Sequence, residues 1–184
     1  MPIPSSIPPK DIAREEKIAS HCNALAGVIV SIRDVYCKAE KQQKAFIETM
    51  VGAAIWYIPK PKDAWTGFIS FETLKAFHPN SSIANPKFSE EHVYPRKVAA
   101  RLLLENLKLD GDTLLDLFMS KYGRLHYITP DENKAVIRFQ KDSVFTEPES
   151  AYRSAGIQLI NVAMADLKAI KKRDAKTIEA YLNA

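Results

Sequence analysis

Apolar positions return every three or four residues along the first third of this chain. Ile12, Ile18, Leu25, Val28, Ile29 and Ile32 fall at roughly helical spacing. Asp11 is placed to cap the N-terminus of such a helix, which the pattern predicts to run towards Ser31 or beyond. A second helical stretch, continuous with the first or separate from it, covers Val35 to about Ile58. Gly52 weakens it, and Pro59-Lys60-Pro61 ends it. From Lys60 to Ser89 the periodicity fails. Pro, Gly, Asn and Ser punctuate that stretch, and only Phe68–Phe71 and a short helix near Glu72–Phe77 read as ordered.

Order returns at Glu90-Glu91-His92-Val93-Tyr94, an extended segment stopped by Pro95. That proline suits the first turn of a helix from Arg96 to about Leu109, whose apolar face carries Leu102, Leu103, Leu104 and Leu107. Gly111 breaks it, and Asp112 or Thr113 can cap another helix through Met119 or Tyr122. Leu125-His126-Tyr127-Ile128 has the strongest strand character in the chain. Thr129-Pro130-Asp131-Glu132 then forms a capping box, opening a helix that carries Asn133 in its first turn and runs to roughly Gln140. A loop near Glu147-Pro148 leads into C-terminal helices.

These elements predict a mostly α, α+β chain with a small two-stranded core. Residues 1–10 read as a proline-rich flexible arm and 11–59 as a helical scaffold. Residues 60–145 read as a central region with a helical insertion, and 146–184 as a C-terminal helical region. Of 184 residues, 46% are hydrophobic, enough for a core, and the formal net charge of +4 permits nucleic-acid binding without demanding it. Cys22 and Cys37 sit fifteen positions apart in helical sequence, more than roughly 20 Å along an unbroken helix, so they read as free, buried thiols. No secretory signal is visible at the start, and the most apolar run, Ala24 to Ile32, is too short to span a bilayer. A soluble, cytoplasmic protein is expected. With only six glycines, no phosphate-binding glycine loop occurs, and there is no Gly-x-Ser-x-Gly elbow.

The chemistry concentrates in Glu91-His92-Val93-Tyr94-Pro95 and, some forty residues on, Thr129-Pro130-Asp131-Glu132-Asn133. Over Ser89 to Asp142 this pattern resembles the HNH, or ββα-metal, nucleases. In that family two short strands and a helix grip one divalent cation against the scissile phosphate. The resemblance implies that His92 is the general base and that Glu91 and Asn133 are metal ligands. Gln140 is the candidate for the last ligand, with Asp142 in reserve, and Mg²⁺ (or Mn²⁺) the cofactor. The residue types suit that task. Imidazole, with an ordinary pKa of about 6.5, can accept a proton at neutral pH. Carboxylate and amide oxygens suit a hard cation that neutralises charge developing on phosphate.

The chain departs from the family in its long helical insertion between His92 and Asn133, in a last ligand that is not histidine, and in lacking zinc-knuckle cysteines. Arg96, Lys97 and Arg101 follow the histidine closely and are candidates for phosphate contact, as are Lys60 and Lys62, which with Trp65 and Lys75 form a second basic-aromatic cluster. The basic C-terminal run Lys168, Lys171, Lys172, Arg173 and Lys176 reads as a solvated face, with a grip on phosphates as the alternative. The expectation is a metal-dependent DNA endonuclease, for which cutting both strands takes either a homodimer or two successive nicks. The alternative is a non-catalytic helical nucleic-acid-binding or protein-interaction module. Convergence of His92, Glu91 and Asn133 in one open cleft would mark the first. An exposed apolar stripe on the N-terminal helices, with a closed surface around His92, would mark a scaffold.

Overall fold

The computed structural model describes residues 9–141 and 145–184, excepting the side chains of Pro9 and Lys10. Most of the arm expected over residues 1–10 therefore lies outside the described residues, as does Asp142. The chain divides into two compact units, and the division is not sequential. One unit takes the residues up to Ala64 together with Tyr94–Arg124, and the other takes Trp65–Val93 and Leu125–Ala184. The expected insertion thus belongs with the N-terminal scaffold, and the C-terminal region belongs with the sheet.

The first unit is helical. Helix α1 (Pro9–Lys38) runs 30 residues without a break, so Asp11 lies in its first turn instead of capping it. The chain bends at Ala39–Glu40, where the Glu40 amide donates to the Gln43 side chain, and α2 (Lys41–Tyr57) begins. Helix α4 (Arg96–Glu105) starts at Arg96 as predicted, with Pro95 as its N-cap instead of in its first turn, and ends at Glu105, short of Leu109. Helix α5 (Gly111–Leu117) is capped by Asp110, whose carboxylate accepts from the Thr113 amide; hydrogen bonds from the Thr113 side chain and then its amide hold it below the usual aspartate range. Gly111 therefore opens a helix instead of breaking one. A π-helical turn, Phe118–Tyr122, follows. The core gathers Ile18, Cys22 and Ile29 of α1, Val51 and Ile55 of α2, Leu103 and Leu104 of α4, and Leu114 of α5.

Cys22 is buried in that core as expected, but Cys37, at the solvent side of the last turn of α1, is exposed instead of buried. Burial pushes the Cys22 thiol up to about 11, because a thiolate is penalised in apolar surroundings. The folded chain thus prefers the neutral thiol. Its contribution to stability is complete below the unfolded pKa and is lost as pH rises through the folded one. A colourimetric thiol assay at pH 8 is expected to count one fast thiol in the native protein and a second only after denaturation; two fast thiols would show that the α1 core opens.

The second unit is built on four strands, not two: β1 (Trp65–Ser70), β2 (Ser89–His92), β3 (Leu125–Ile128) and β4 (Leu159–Asn161). Their order is β2-β3-β1-β4. Only β1 and β3 run parallel; β2 pairs antiparallel with β3 and β4 antiparallel with β1. Gly67, at φ +91°, marks an irregularity in the β1–β3 register, a conformation that a side-chain-bearing residue adopts only with strain.

Helices α3 (Phe71–Phe77), α8 (Leu167–Lys171) and α9 (Ala175–Leu182) supply apolar side chains to one cluster with Trp65 and Ile69. Helices α6 (Pro130–Val136) and α7 (Pro148–Ser154) build a second around Ile128, with Val136, Ala151 and Tyr152. The C-terminal region is interrupted by β4 where continuous helices were expected. Its basic run is partly structural: Arg173 donates to the carbonyls of His78, Pro79 and Ala84.

Candidate functional site

The β2–β3 ladder decides which side chains can meet. It pairs Ser89 with Ile128, Glu90 with Tyr127, Glu91 with His126 and His92 with Leu125. Directly opposed residues share a face and neighbours along a strand alternate. Ser89, Glu91, His126 and Ile128 therefore face one way, and Glu90, His92, Leu125 and Tyr127 the other. The contacts agree. Ile128 packs with Val136 and Tyr152, whereas Tyr127 stacks on Trp65 and Phe88.

Helix α6 is fixed on the Glu91 face by its start. Thr129 accepts from the Glu132 amide, and the Glu132 carboxylate accepts from the Thr129 amide, completing the expected capping box. That carboxylate also accepts from the Ser70 hydroxyl at the end of β1, and Ser70 itself caps α3 through the Thr73 amide. Asn133 follows at once, and its amide donates to Ser89 Oγ at 2.7 Å. After α6 a short 3-10 turn delivers Gln140, whose Nε2 donates to Glu91 Oε1 at 2.6 Å.

Three of the four expected site residues, Glu91, Asn133 and Gln140, thus gather on one face, and two of them touch. His92 is the last residue of β2, half-buried, on the opposite face by the ladder's parity. Among the described residues, the ladder thus sets His92 apart from the other three. Glu91 is only 8% exposed.

Sequence reasoning read His126 as an ordinary half-buried strand histidine and did not single out Tyr152. Both belong to the Glu91 cluster. His126 lies directly across the ladder from Glu91, and its ring sits 5.1 Å from that of Tyr152 and 5.4 Å from that of Phe68. Burial, and then the Glu91 charge, hold the Tyr152 phenol well above its usual range. Among the described residues, Tyr152 Oη is buried without a hydrogen-bond partner. Only the alternation of β3 carried a signal for His126; nothing local marked Tyr152.

As a donor set, one carboxylate and two amide oxygens match Mg²⁺, which retains several waters and asks for few protein ligands. The Gln140 amide now turns its NH₂ towards Glu91; rotating it by half a turn presents its oxygen instead. The unpartnered phenol leaves room in the hydrogen-bonding for an added group. Among the described residues, no three His, Cys, Asp or Glu side chains gather as a metal-holding group, so a cation here would depend on those amides.

The expected nucleic-acid contacts, Lys60, Lys62, Arg96, Lys97 and Arg101, all lie in the helical unit. Lys60, Arg96 and Lys97 are exposed, with Lys97 3.8 Å from the buried Glu48 and Lys62 bonded to Asp11. Arg101 is half-buried beside Tyr36. Trp65 is not the exposed ring that the expected basic-aromatic cluster needs. Trp65 is buried, donates to the Phe68 carbonyl and stacks on Tyr127, and Lys75 bonds Glu72. No described helix is long and apolar enough to cross a membrane. Compared with protein-family models, with curated proteins and with solved structures, the chain matches none of them.

Proposed function

We propose that this chain is a divalent-metal-dependent phosphodiester hydrolase acting on DNA, with Glu91, Gln140 and Asn133 as the residues that would hold the cation. The observation that carries the reading is the strand–strand–helix unit β2–β3–α6, in which Gln140 meets Glu91 on the face that also carries Asn133. Bound there, Mg²⁺ or Mn²⁺ would supply charge neutralisation at the phosphate. The chain's own contribution is to orient the phosphate and to take a proton from water. Two imidazoles flank Glu91: His92, its neighbour in the chain, and His126, its partner across the ladder. His92 lies on the other face of the ladder but ends the strand, where the chain bends at Val93–Tyr94; it is the assigned base, a role that requires its ring to swing round that end to the Glu91 face.

Supercoiled plasmid incubated with Mg²⁺ or Mn²⁺ is expected to be nicked. His92→Ala is expected to lower the rate on the order of a hundredfold or more, the scale of general-base catalysis. Loss in His126→Ala alone would move the base across the ladder. Equal cleavage by both variants and the wild type, or none by any of them on a random-sequence plasmid library, would overturn the proposal.

A second reading rests on a different observation. Phe46, Met50 and Tyr57 are 67%, 52% and 79% exposed on α2, at spacings of four and eleven residues that set them along one stripe. Such a stripe suits a protein-interaction module. That reading predicts a solution mass that rises with concentration and falls back to the monomer in Phe46→Glu; a monomer at every concentration, with no nicking, would leave neither reading standing.

A further inference from the structure

Helix α2 carries Glu48, Gly52 and Trp56 at four-residue intervals, one above the other on the surface that meets the start of α4. Gly52 has no side chain to hold α4 away: a Cβ there would lie 3.1 Å from the Arg96 carbonyl oxygen. The close approach lays Arg96 along α2, and its guanidinium carbon comes to 4.8 Å from the centre of the Trp56 ring. Lys60, one turn beyond in sequence, brings its ammonium to 5.7 Å from the same ring. Two residues before Arg96, the Tyr94 ring receives Lys121 at 4.2 Å. Beside Trp56 the ring of Tyr57 is 79% exposed. One corner of the helical unit therefore offers three cations seated on aromatic rings, with a further ring open to solvent.

Cations held over ring faces lose less freedom when they take up a phosphate, and Arg96 can present its N–H fork to two phosphate oxygens. An exposed ring beside them offers a stacking surface for a base that is not already stacked in a duplex. We propose that this corner, formed by Trp56, Tyr57, Lys60, Tyr94, Arg96 and Lys121, binds a single nucleic-acid strand, with phosphates on the cations and an unpaired base on Tyr57. The charge and the rings together select this partner: an acidic protein would engage the cations and leave the ring idle, and a duplex would hide its base faces. The proposal shares with the nuclease reading only the choice of nucleic acid, and it holds for a binding module as well.

The test uses the full chain in EDTA, so that a failure of cleavage has no bearing on it. Of the chain's two tryptophans, Trp56 is 42% exposed and Trp65 is 5% exposed, so quenching of intrinsic fluorescence by an added strand reports on this corner. A dT oligonucleotide of about 12 nucleotides, within the span of one binding module, is expected to quench Trp56. With three cations engaged, affinity is expected to fall with salt at a log–log slope of about −2, at roughly 0.7 per phosphate contact. Arg96→Gln should flatten that slope by about 0.7, and Tyr57→Ala should weaken binding roughly fivefold or more.

The Trp56→Phe variant should bind yet lose the quench, and an unchanged circular-dichroism spectrum keeps each variant interpretable. Absence of quenching by dT overturns the proposal. So does equal binding of heparin with no effect of Tyr57→Ala, which would mean polyanion capture alone, and so does equal or tighter binding of a duplex. Tighter binding of oligo-rU than of dT would keep the site and make its strand RNA.

Discussion

Glu91→Gln is expected to lower metal-dependent cleavage on the order of a hundredfold or more, the scale at which the loss of one electrostatic stabiliser is felt, while the fold survives. The side chain is nearly isosteric, and its amide oxygen can still accept from Gln140, whose Nε2 lies 2.6 Å from Glu91 Oε1. What disappears is charge. Glu91 is the one carboxylate in the group with Asn133 and Gln140, so a cation held there would lose its anionic partner. Glu91→Ala removes more. The Gln140 amide loses its acceptor beside a buried His126 and a buried Tyr152, and an unmet polar group of that kind costs about 1–3 kcal/mol.

The two substitutions separate a metal site from a structural hydrogen bond. On the metal reading, plasmid nicking collapses in Glu91→Gln with little change in thermal midpoint. On the structural reading, Glu91→Gln nicks as the wild type does and only Glu91→Ala melts early. The second pattern would end the assignment of Glu91 as a ligand.

Much of the secondary structure was legible because the signals are local. The strand Leu125–Ile128 and the capping box Thr129–Glu132 appear at the positions read from the residues, since a β-branched and aromatic run and a hydroxyl three residues before an acid act over a single turn. The pairing of the His92 strand with that strand, and the approach of Asn133 and Gln140 to it, leave no local signal in the residues. The contact between Gln140 and Glu91 spans 49 residues of chain, and no periodicity encodes it.

What escaped was set by distant contacts. β4 is three residues long, and its run Ile157-Gln158-Leu159-Ile160-Asn161-Val162, opened by Gly156 at φ +71°, passed for helical sequence. Its ladder partners lie on β1, some ninety residues earlier. Trp65 and Trp56 exchanged roles for a similar reason. Each sits near lysines and prolines in the sequence, but Trp65 heads a central strand and stacks inward on Tyr127, while Trp56 ends a helix whose buried face is already filled by Val51 and Ile55. The same applies to Gly52, which read as a weak point in a helix. In a helix interior, glycine costs roughly 0.5–1 kcal/mol relative to alanine; here that cost admits the α4 backbone.

Gly52→Val is therefore expected to have the largest effect of any single change in the helical unit outside its core. Alanine is the control. It recovers the helix propensity, about 1 kcal/mol, but its Cβ meets the Arg96 carbonyl oxygen at 3.1 Å and carbonyl carbon at 3.2 Å, so α4 must give by a few tenths of an ångström and the two effects nearly cancel. Valine adds two methyl groups in the same direction, against backbone that cannot rotate away. α2 and α4 must separate, and the core residues between them, Val51 and Ile55 against Leu103, lose contact. Overpacking of this kind costs about 1–3 kcal/mol, and valine forgoes most of the propensity gain that alanine enjoys. Chemical denaturation is expected to show Gly52→Ala within about 0.5 kcal/mol of the wild type and Gly52→Val lower by about 2 kcal/mol. Because Arg96 is carried on the displaced backbone, its guanidinium should leave the Trp56 ring, and Gly52→Val should shift the tryptophan emission where Gly52→Ala does not. If valine is tolerated with emission unchanged, α4 does not rest on α2 at this glycine, and the corner built on Arg96 and Trp56 loses its foundation.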